Sequence, residues 1–350
     1  MRVLVLTADY PPRTWSGIGA AVQRQARALA ALGVQVTVLV PDPDPAPDGA
    51  VEIRSLAGPR CPVDPRAYDL VHLHSLALAE LAAELHRRFG LPLLYTAHAL
   101  VDRELEPSPE AAFWAAVQAR VLRLSQRAIF LSDAERDAAV ARWPELASRS
   151  VVVPNGLALE PTPAPEPPPP SEGPLVFAGR FARSKGLRVL AAAMDRVFAE
   201  EPGARLVLAG GHGDGEGRRA VSDLARAHPG RCEVRGWLPQ PALRSLFAGA
   251  SAVLVPSLYE PFGQVALEAM AVGAPVLASA VGGLRQIAGP GSGGRLVEGH
   301  DPEDWARATL ALLRSPSERC RLRRQGPAHV AAHFEISRVA GRLLREAYAA

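Results

Sequence analysis

Lysine is almost missing from this chain. Basic residues total 39 in 350, yet Lys185 is the only lysine, and Asn155 is likewise the only asparagine. The composition, rich in Ala, Arg, Gly and Pro, looks like a chain that has moved to arginine wherever arginine serves. A lysine retained in such a chain marks a place for a compact point charge, which a planar guanidinium does not supply. Cysteine is scarce as well. Cys61, Cys232 and Cys320 are scattered and odd in number, and form neither a metal motif nor a disulfide framework. Aromatic residues make up only 5%, which argues against an extended carbohydrate-binding platform. No apolar run approaches the length of a spanning helix. The opening MRVLVLTADYPP turns polar too early for a secretory signal, so the chain reads as soluble and cytoplasmic. A formal charge of +3 lacks the clustered excess of a nucleic-acid binder, and no nucleic-acid partner is expected.

What is present is length and rhythm. A chain of 350 residues exceeds one ordinary core and implies two domains. RVLVLTA, VQVTVLV, DLVHLHS, PLLYTA, RAIFLS and SVVVP are short apolar runs separated by helical patterns such as AAVQRQARALAAL. That alternation predicts a parallel sheet flanked by helices. Residues 158–174 are too proline-rich for either element and read as a stiff linker. The rhythm then restarts with PLVFAG, ARLVLAG, CEVRG, SAVLVPS and APVLASA. The expected organisation is a first doubly wound domain over 1–157, the linker, a second over 175–333, and a terminal segment, 334–350.

The most informative stretch is PSLYEPFGQVALEAMAVGAPVLASAVGGLRQ, Pro256 to Gln286. It places Glu260 at the carboxyl end of the run AVLVPS, the edge at which open α/β sheets bind ligands. A tight Phe262-Gly263 turn follows, and then a helix beginning Gln264-Val265 that carries Glu268, with seven residues between the two glutamates. The start of such a helix offers free backbone N–H groups and the positive end of a dipole, suited to a phosphate. A carboxylate just before it suits a sugar, and one about a turn and a half inside suits ribose hydroxyls. GRFARSKG, between PLVFA and the helical LRVLAAAM, sets Arg180 and Lys185 at a strand-to-helix turn, a second place for phosphate.

These two segments resemble the signature of retaining nucleotide-sugar glycosyltransferases with the GT-B fold, the family 4-like group that includes glycogen, starch and sucrose synthases. The resemblance rests on E-x-F-G between paired glutamates, the following A-x-G-x-P-V and Gly282-Gly283, and G-R-x-x-x-x-K-G. It spans nearly the whole chain and is strongest from Pro154 to Gln286. It implies two Rossmann-like domains facing an interdomain cleft, with the last helix crossing back to the first domain. It also implies that Arg180 and Lys185 hold the diphosphate of a donor, Glu260 the sugar, and Glu268 the ribose.

The amino-terminal half is read with the same resemblance in view. SGIGAA resembles a dinucleotide fingerprint through Gly17 and Gly19, but lies about ten residues beyond the first strand, where the fingerprint wants an immediate turn. The Gly-rich loop of the resembled family implies instead that Gly17 and Gly19 turn their amides to a donor phosphate. A helix start capped by Ser16 is the plainer alternative. His98, in T-x-H after a strand, matches the histidine that lies over the reacting sugar. His72 and His74, lacking a ligand cluster, read as structural. Asp9 is placed either for an acceptor hydroxyl or to cap its loop. Trp237 either stacks on a nucleobase or covers the core. Asn155 reads as a turn residue. Asp42 and Asp44 mimic a metal-binding D-x-D element, but their interleaved prolines argue against it. No metal and no cofactor is expected. Arg120, Arg123 and Arg127 lie along one face of a helical pattern with Phe113 and Trp114 elsewhere, which suits either solvent or an anionic membrane surface.

The resulting expectation is a retaining transferase moving a glucosyl group from an ADP- or UDP-sugar to a carbohydrate or other hydroxyl acceptor, in the manner of a glucan synthase. A non-hydrolysing nucleotide-sugar epimerase and an NAD-dependent oxidoreductase are the alternatives. Acceptor, membrane contact and oligomeric state are not fixed by the sequence.

Overall fold

The computed structural model describes residues 1–12, 17–42, 45–56, 61–159 and 173–349. Most of the proline-rich segment, residues 160–172, lies outside them, as do Ser16 and Asp44. The chain forms two compact units, Met1–Ala158 with Phe334–Ala350, and Leu159–His333.

The first unit is built on seven parallel strands: β1 (Arg2–Leu6), β2 (Gln35–Val40), β3 (Glu52–Ser55), β4 (Leu70–Leu73), β5 (Leu93–Ala97), β6 (Arg127–Phe130) and β7 (Ser150–Val152). Their order is β3-β2-β1-β4-β5-β6-β7. Alternation along each strand feeds two separate cores. Val3, Val5, Val36 and Val38 face one side with Val22 and Leu29 of helix Gly17–Ala31, while Leu4, Leu6, Leu39 and Leu73 face the other. Burial on both faces is why the strands read as continuous apolar runs. The first of these cores also takes Val339, Ala340, Leu343 and Tyr348, so the terminal helical segment completes this unit.

The second unit has six parallel strands: β8 (Leu175–Arg180), β9 (Leu206–Gly211), β10 (Cys232–Gly236), β11 (Ala252–Val255), β12 (Val276–Ser279) and β13 (Gly294–Val297), ordered β10-β9-β8-β11-β12-β13. Leu175, Phe177, Leu208, Leu254 and Leu277 pack under helices Leu187–Glu200 and Pro302–Leu313, with Trp305 fully enclosed.

Two strands escaped the apolar reading, and both are edges. In β3 the sequence EIRS is largely polar and only half-covered, and in β13 only Gly294 and Val297 are buried. Edge strands need less apolar surface, so their signal is faint. Each sheet reverses its winding once, between β1 and β4 in the first unit and between β8 and β11 in the second. The carboxyl ends of strands flanking such a reversal form the crevice in which doubly wound sheets bind ligands.

Candidate active site

The reversal in the second unit collects Arg180, Lys185, Glu260 and the start of the helix that carries Glu268, whereas Trp237 follows β10 at the edge of the sheet. Arg180 ends β8 and is exposed. A short turn, Arg183–Lys185, follows and closes on Gly186 at φ +68°. A Cβ at Gly186 would lie 1.8 Å from the carbonyl oxygen of Pro256, so only glycine lets the turn after β8 press against the segment leaving β11. The Ser184 carbonyl then accepts the N–H of Leu258 at 2.8 Å, tying the two segments together.

This contact brings the lone lysine to the first glutamate. Lys185 Nζ lies 2.9 Å from Glu260 Oε2, and the Ser257 hydroxyl donates to the same oxygen at 3.2 Å. Both charged side chains are largely covered, at 19% and 14% exposure. Glu260 is fixed from behind as well. The Gly283 N–H donates to its carbonyl at 3.0 Å, and a Cβ on Gly282 would stand 2.0 Å from that oxygen. The two glycines are thus a steric requirement of the turn that carries Glu260.

Helix Gln264–Ala271 begins immediately afterwards, with Gly263 at φ +109° as its first cap and Phe262 buried beside it. Its first amides have no intrahelical acceptor. Glu268 is half-buried on this helix and accepts from Gln264 Nε2 at 2.8 Å. Val265 is half-buried at the helix start. Sequence reasoning missed Asp214, which caps helix Gly215–Ala227 and accepts the Arg183 N–H at 2.6 Å. Burial opposes its ionisation, but the amides of Gly217, Arg183 and Glu216 outweigh this and hold the carboxyl below its ordinary range. The run GGHGDGEG gives no sign in sequence that its aspartate braces the lysine turn.

Trp237 follows β10 and is 47% exposed, so it does not cover the core. Arg127 belongs to β6 rather than to the helix Pro109–Leu124, and Arg120 is held bidentately by Glu80, so the arginines do not form one basic face. Among the described residues no group of three or more His, Cys, Asp or Glu stands ready to hold a metal, and no helix is long and apolar enough to cross a membrane.

In the first unit the reversal lies beside Asp9, Gly19 and the histidines. Helix Gly17–Ala31 starts well beyond Leu6, so the immediate strand-turn-helix of a dinucleotide fingerprint is not formed. A Cβ on Gly19 would come within 3.1 Å of the Asp9 backbone, so this glycine serves close approach of helix and loop, whereas a Cβ on Gly17 would meet nothing within 4 Å among the described residues. Thr7 Oγ1 donates to the Asp9 carbonyl at 3.0 Å. His98 follows β5, with its Nε2 3.1 Å from His74 Nδ1. Burial lowers His98 to about 4 and His72 to about 3, so both rings are neutral near pH 7. His72 is structural, bonded to Tyr348 and Thr96. His74 touches His98 itself, a link that the spacing H-x-H did not announce.

Two parallel, doubly wound units with these sites define the class, a GT-B glycosyltransferase. The description "Glycosyl transferases group 1" matches residues 162–329, and "Glycosyltransferase Family 4" matches residues 15–161. A D-inositol 3-phosphate glycosyltransferase of Rhodococcus opacus is 32% identical over 300 residues, covering 80% of this chain and 67% of that protein. That of Actinosynnema mirum is 33% identical, covering 73% and 66%. The chain thus spans about two thirds of the length of these curated relatives. Sucrose-phosphate synthase of Thermosynechococcus elongatus superposes with a TM-score of 0.80 at 27% identity over 99% of both chains. An Anabaena protein solved with UDP and glucose superposes at 0.77 over all of both chains, and at 18% identity shows the fold alone. The chain belongs to the group 1 and family 4 glycosyltransferases, nucleotide-sugar-dependent enzymes.

Proposed function

We propose that this chain is a retaining glycosyltransferase that moves a glucosyl group from a nucleoside-diphosphate sugar, UDP-glucose in the first instance, to a hydroxyl of a small polyhydroxylated acceptor. The single observation that carries the reading is the meeting of Lys185 and Glu260 at the β8–β11 reversal, beside the start of helix Gln264–Ala271. A cation for the diphosphate and a carboxylate for the sugar then stand side by side. The names of the relatives support the substrate class, since they act on inositol 3-phosphate or make a sugar phosphate, and a neighbour of the same fold was solved with UDP-glucose. Extension to a growing glucan is the further activity to be tried with the same donor.

In this reading, breaking the anomeric C–O bond leaves positive charge on the sugar ring and negative charge on the departing diphosphate. Lys185, Arg180 and the helix amides stabilise the second, a kind of term worth about 10²–10³ in rate for each well-placed donor. Glu260 holds the sugar hydroxyls and favours the cationic ring. Glu268 takes the ribose, and His98 serves the reacting sugar. Gly17 and Gly19 lend amides to the phosphates, Trp237 stacks on the base, and Asp9 meets the acceptor hydroxyl. The acceptor oxygen bonds to the anomeric carbon on the face the diphosphate leaves, and its proton passes to the leaving phosphate oxygen. No metal is needed, because cationic side chains and the helix start neutralise the diphosphate.

Thermal stabilisation against a panel of nucleoside diphosphates and nucleotide-sugars, with and without chelator, is the test. A shift with UDP-glucose that survives chelator, followed by α-linked product with inositol phosphate or a sugar phosphate, is expected. Sugar conversion without any acceptor would favour an epimerase, and a shift with nicotinamide cofactors alone would end the proposal.

A further inference from the structure

Three histidines of the first unit form a stack of which the reaction above uses only one. His72 lies in β4 with both ring nitrogens engaged, Nδ1 at 2.7 Å from Tyr348 Oη and Nε2 at 2.8 Å from Thr96 Oγ1. His74, two residues on, points to the same side. Its ring centroid is 4.1 Å from that of His72 and 5.3 Å from that of His98. It is 4% exposed, and its Nε2 is enclosed with no hydrogen-bond partner among the described residues. The remaining nitrogen, Nδ1, meets His98 Nε2. His72 is pinned at both ends and backs the stack, so the His74 ring is not free to turn away.

The orphan nitrogen decides the direction of the bond between His74 and His98. Each ring is neutral and carries one N–H. If His98 Nε2 were the donor, His74 would keep its own proton on Nε2, an enclosed N–H with no acceptor among the described residues. If His74 Nδ1 is the donor, its Nε2 is a bare acceptor. Orphaned buried N–H groups are rarer than under-satisfied acceptors. The second arrangement leaves His98 with a bare Nε2 turned to His74 and its only N–H on Nδ1, which has no partner among the described residues.

We infer that His74 is a positioning residue, fixing the tautomer and ring rotation of His98 so that Nδ1–H remains available as a donor to a hydroxyl of the transferred sugar. The inference rests on the reading of His98 as the sugar-facing residue.

The test has two arms. Nitrogen-15 NMR of histidine-labelled protein without ligand reads the tautomer directly, and needs no variant at His74. His98 protonated on Nδ1 is the expected result, and protonation on Nε2 overturns the inference. The second arm measures transfer kinetics. His74→Leu removes the donor and is expected to lower kcat roughly tenfold, the worth of one well-placed hydrogen bond, with little change in donor KM. His74→Asn places an amide N–H where Nδ1–H stood and is expected to restore most of kcat. A His74→Leu enzyme that folds and keeps full kcat overturns the positioning role. If His98→Ala leaves transfer unchanged, the sugar-facing reading of His98 fails, and with it the service His74 performs, whereas the NMR tautomer judges the His74–His98 assignment by itself.

Discussion

Lys185 and Glu260 are 75 positions apart in sequence, yet Nζ and Oε2 lie 2.9 Å apart. The Ser257 hydroxyl bonds the same carboxylate oxygen, so the lysine and the glutamate are already aimed at one another. Lys185→Ala and Glu260→Ala are each expected to lower transfer by at least about 10²-fold, the scale of losing one preorganised electrostatic group. The fold should survive, with a loss of about 1 kcal/mol for a partly covered pair. Product formation and thermal melting measured together check this, and full activity in either variant would sink the assignment.

Lys185→Arg keeps the charge but replaces a point cation with a broad planar fork. The Lys185 side chain is largely covered, at 19% exposure, where it meets Glu260, so a larger head group changes that contact. Transfer is expected to drop at least about tenfold. An arginine variant with unchanged kcat would show that the retained lysine carries no chemistry.

Glu268 sits inside the helix and Glu260 before it, so their variants should separate kinetically. Glu268→Ala is expected to raise donor KM roughly tenfold with a small effect on kcat, as befits binding that is equal in ground and transition states. Glu260→Gln should lower kcat chiefly. Steady-state kinetics in donor concentration give both numbers, and the reverse pattern would exchange the two roles.

Gly282→Ala would place a Cβ 2.0 Å from the Glu260 carbonyl at a positive φ, and is expected to cost about 1–3 kcal/mol and to displace Glu260. A Cβ on Gly291, also at positive φ, would meet nothing within 4 Å among the described residues, so Gly291→Ala should cost about 1 kcal/mol and leave transfer intact. Denaturant unfolding and transfer assays on the pair distinguish steric from conformational loss.

Acid should loosen the first unit through its histidines. His72 and His98 are lowered by burial from 6.5 to about 3 and about 4, and His74 is lowered well below its ordinary value by burial and by its two neighbours. The unfolded chain therefore takes up protons first. Stability contributed by keeping these rings neutral is complete above about pH 6.5 and falls as pH drops toward the folded-state values. Well below pH 6.5 each such ring contributes a slope of about 1.4 kcal/mol per pH unit. Melting temperatures at pH 7, 6 and 5 should fall increasingly steeply, and His72→Gln should flatten the curve. A flat profile would mean the rings are not held neutral.

Much of this was legible in the chain. Continuous Val/Leu runs announced buried parallel strands because both sheet faces are covered, and E-P-F-G announced a helix start because Gly263 needs its positive φ there. The strands β3 and β13 were not legible, since an edge strand is specified more by the ladder it joins than by its own apolar residues. Trp237 could be read as core or as ligand platform, because a tryptophan after a strand looks the same in sequence whether the next layer covers it or not. The terminal Tyr348 carried no sign that it would anchor His72.

The sequence by itself determined two doubly wound halves, a phosphate-type turn with one lysine, and a helix start flanked by two glutamates. These are local facts, set by periodicity, glycine conformations and charge within a few residues. Only the tertiary structure decided which of them meet. β8 and β11 lie side by side because the chain winds out through β9 and β10 before returning, and that return places Lys185 on Glu260. In the first unit, the pairing of β4 with β5 sets His74 beside His98. Proximity of this kind is a property of strand order, which no local pattern encodes.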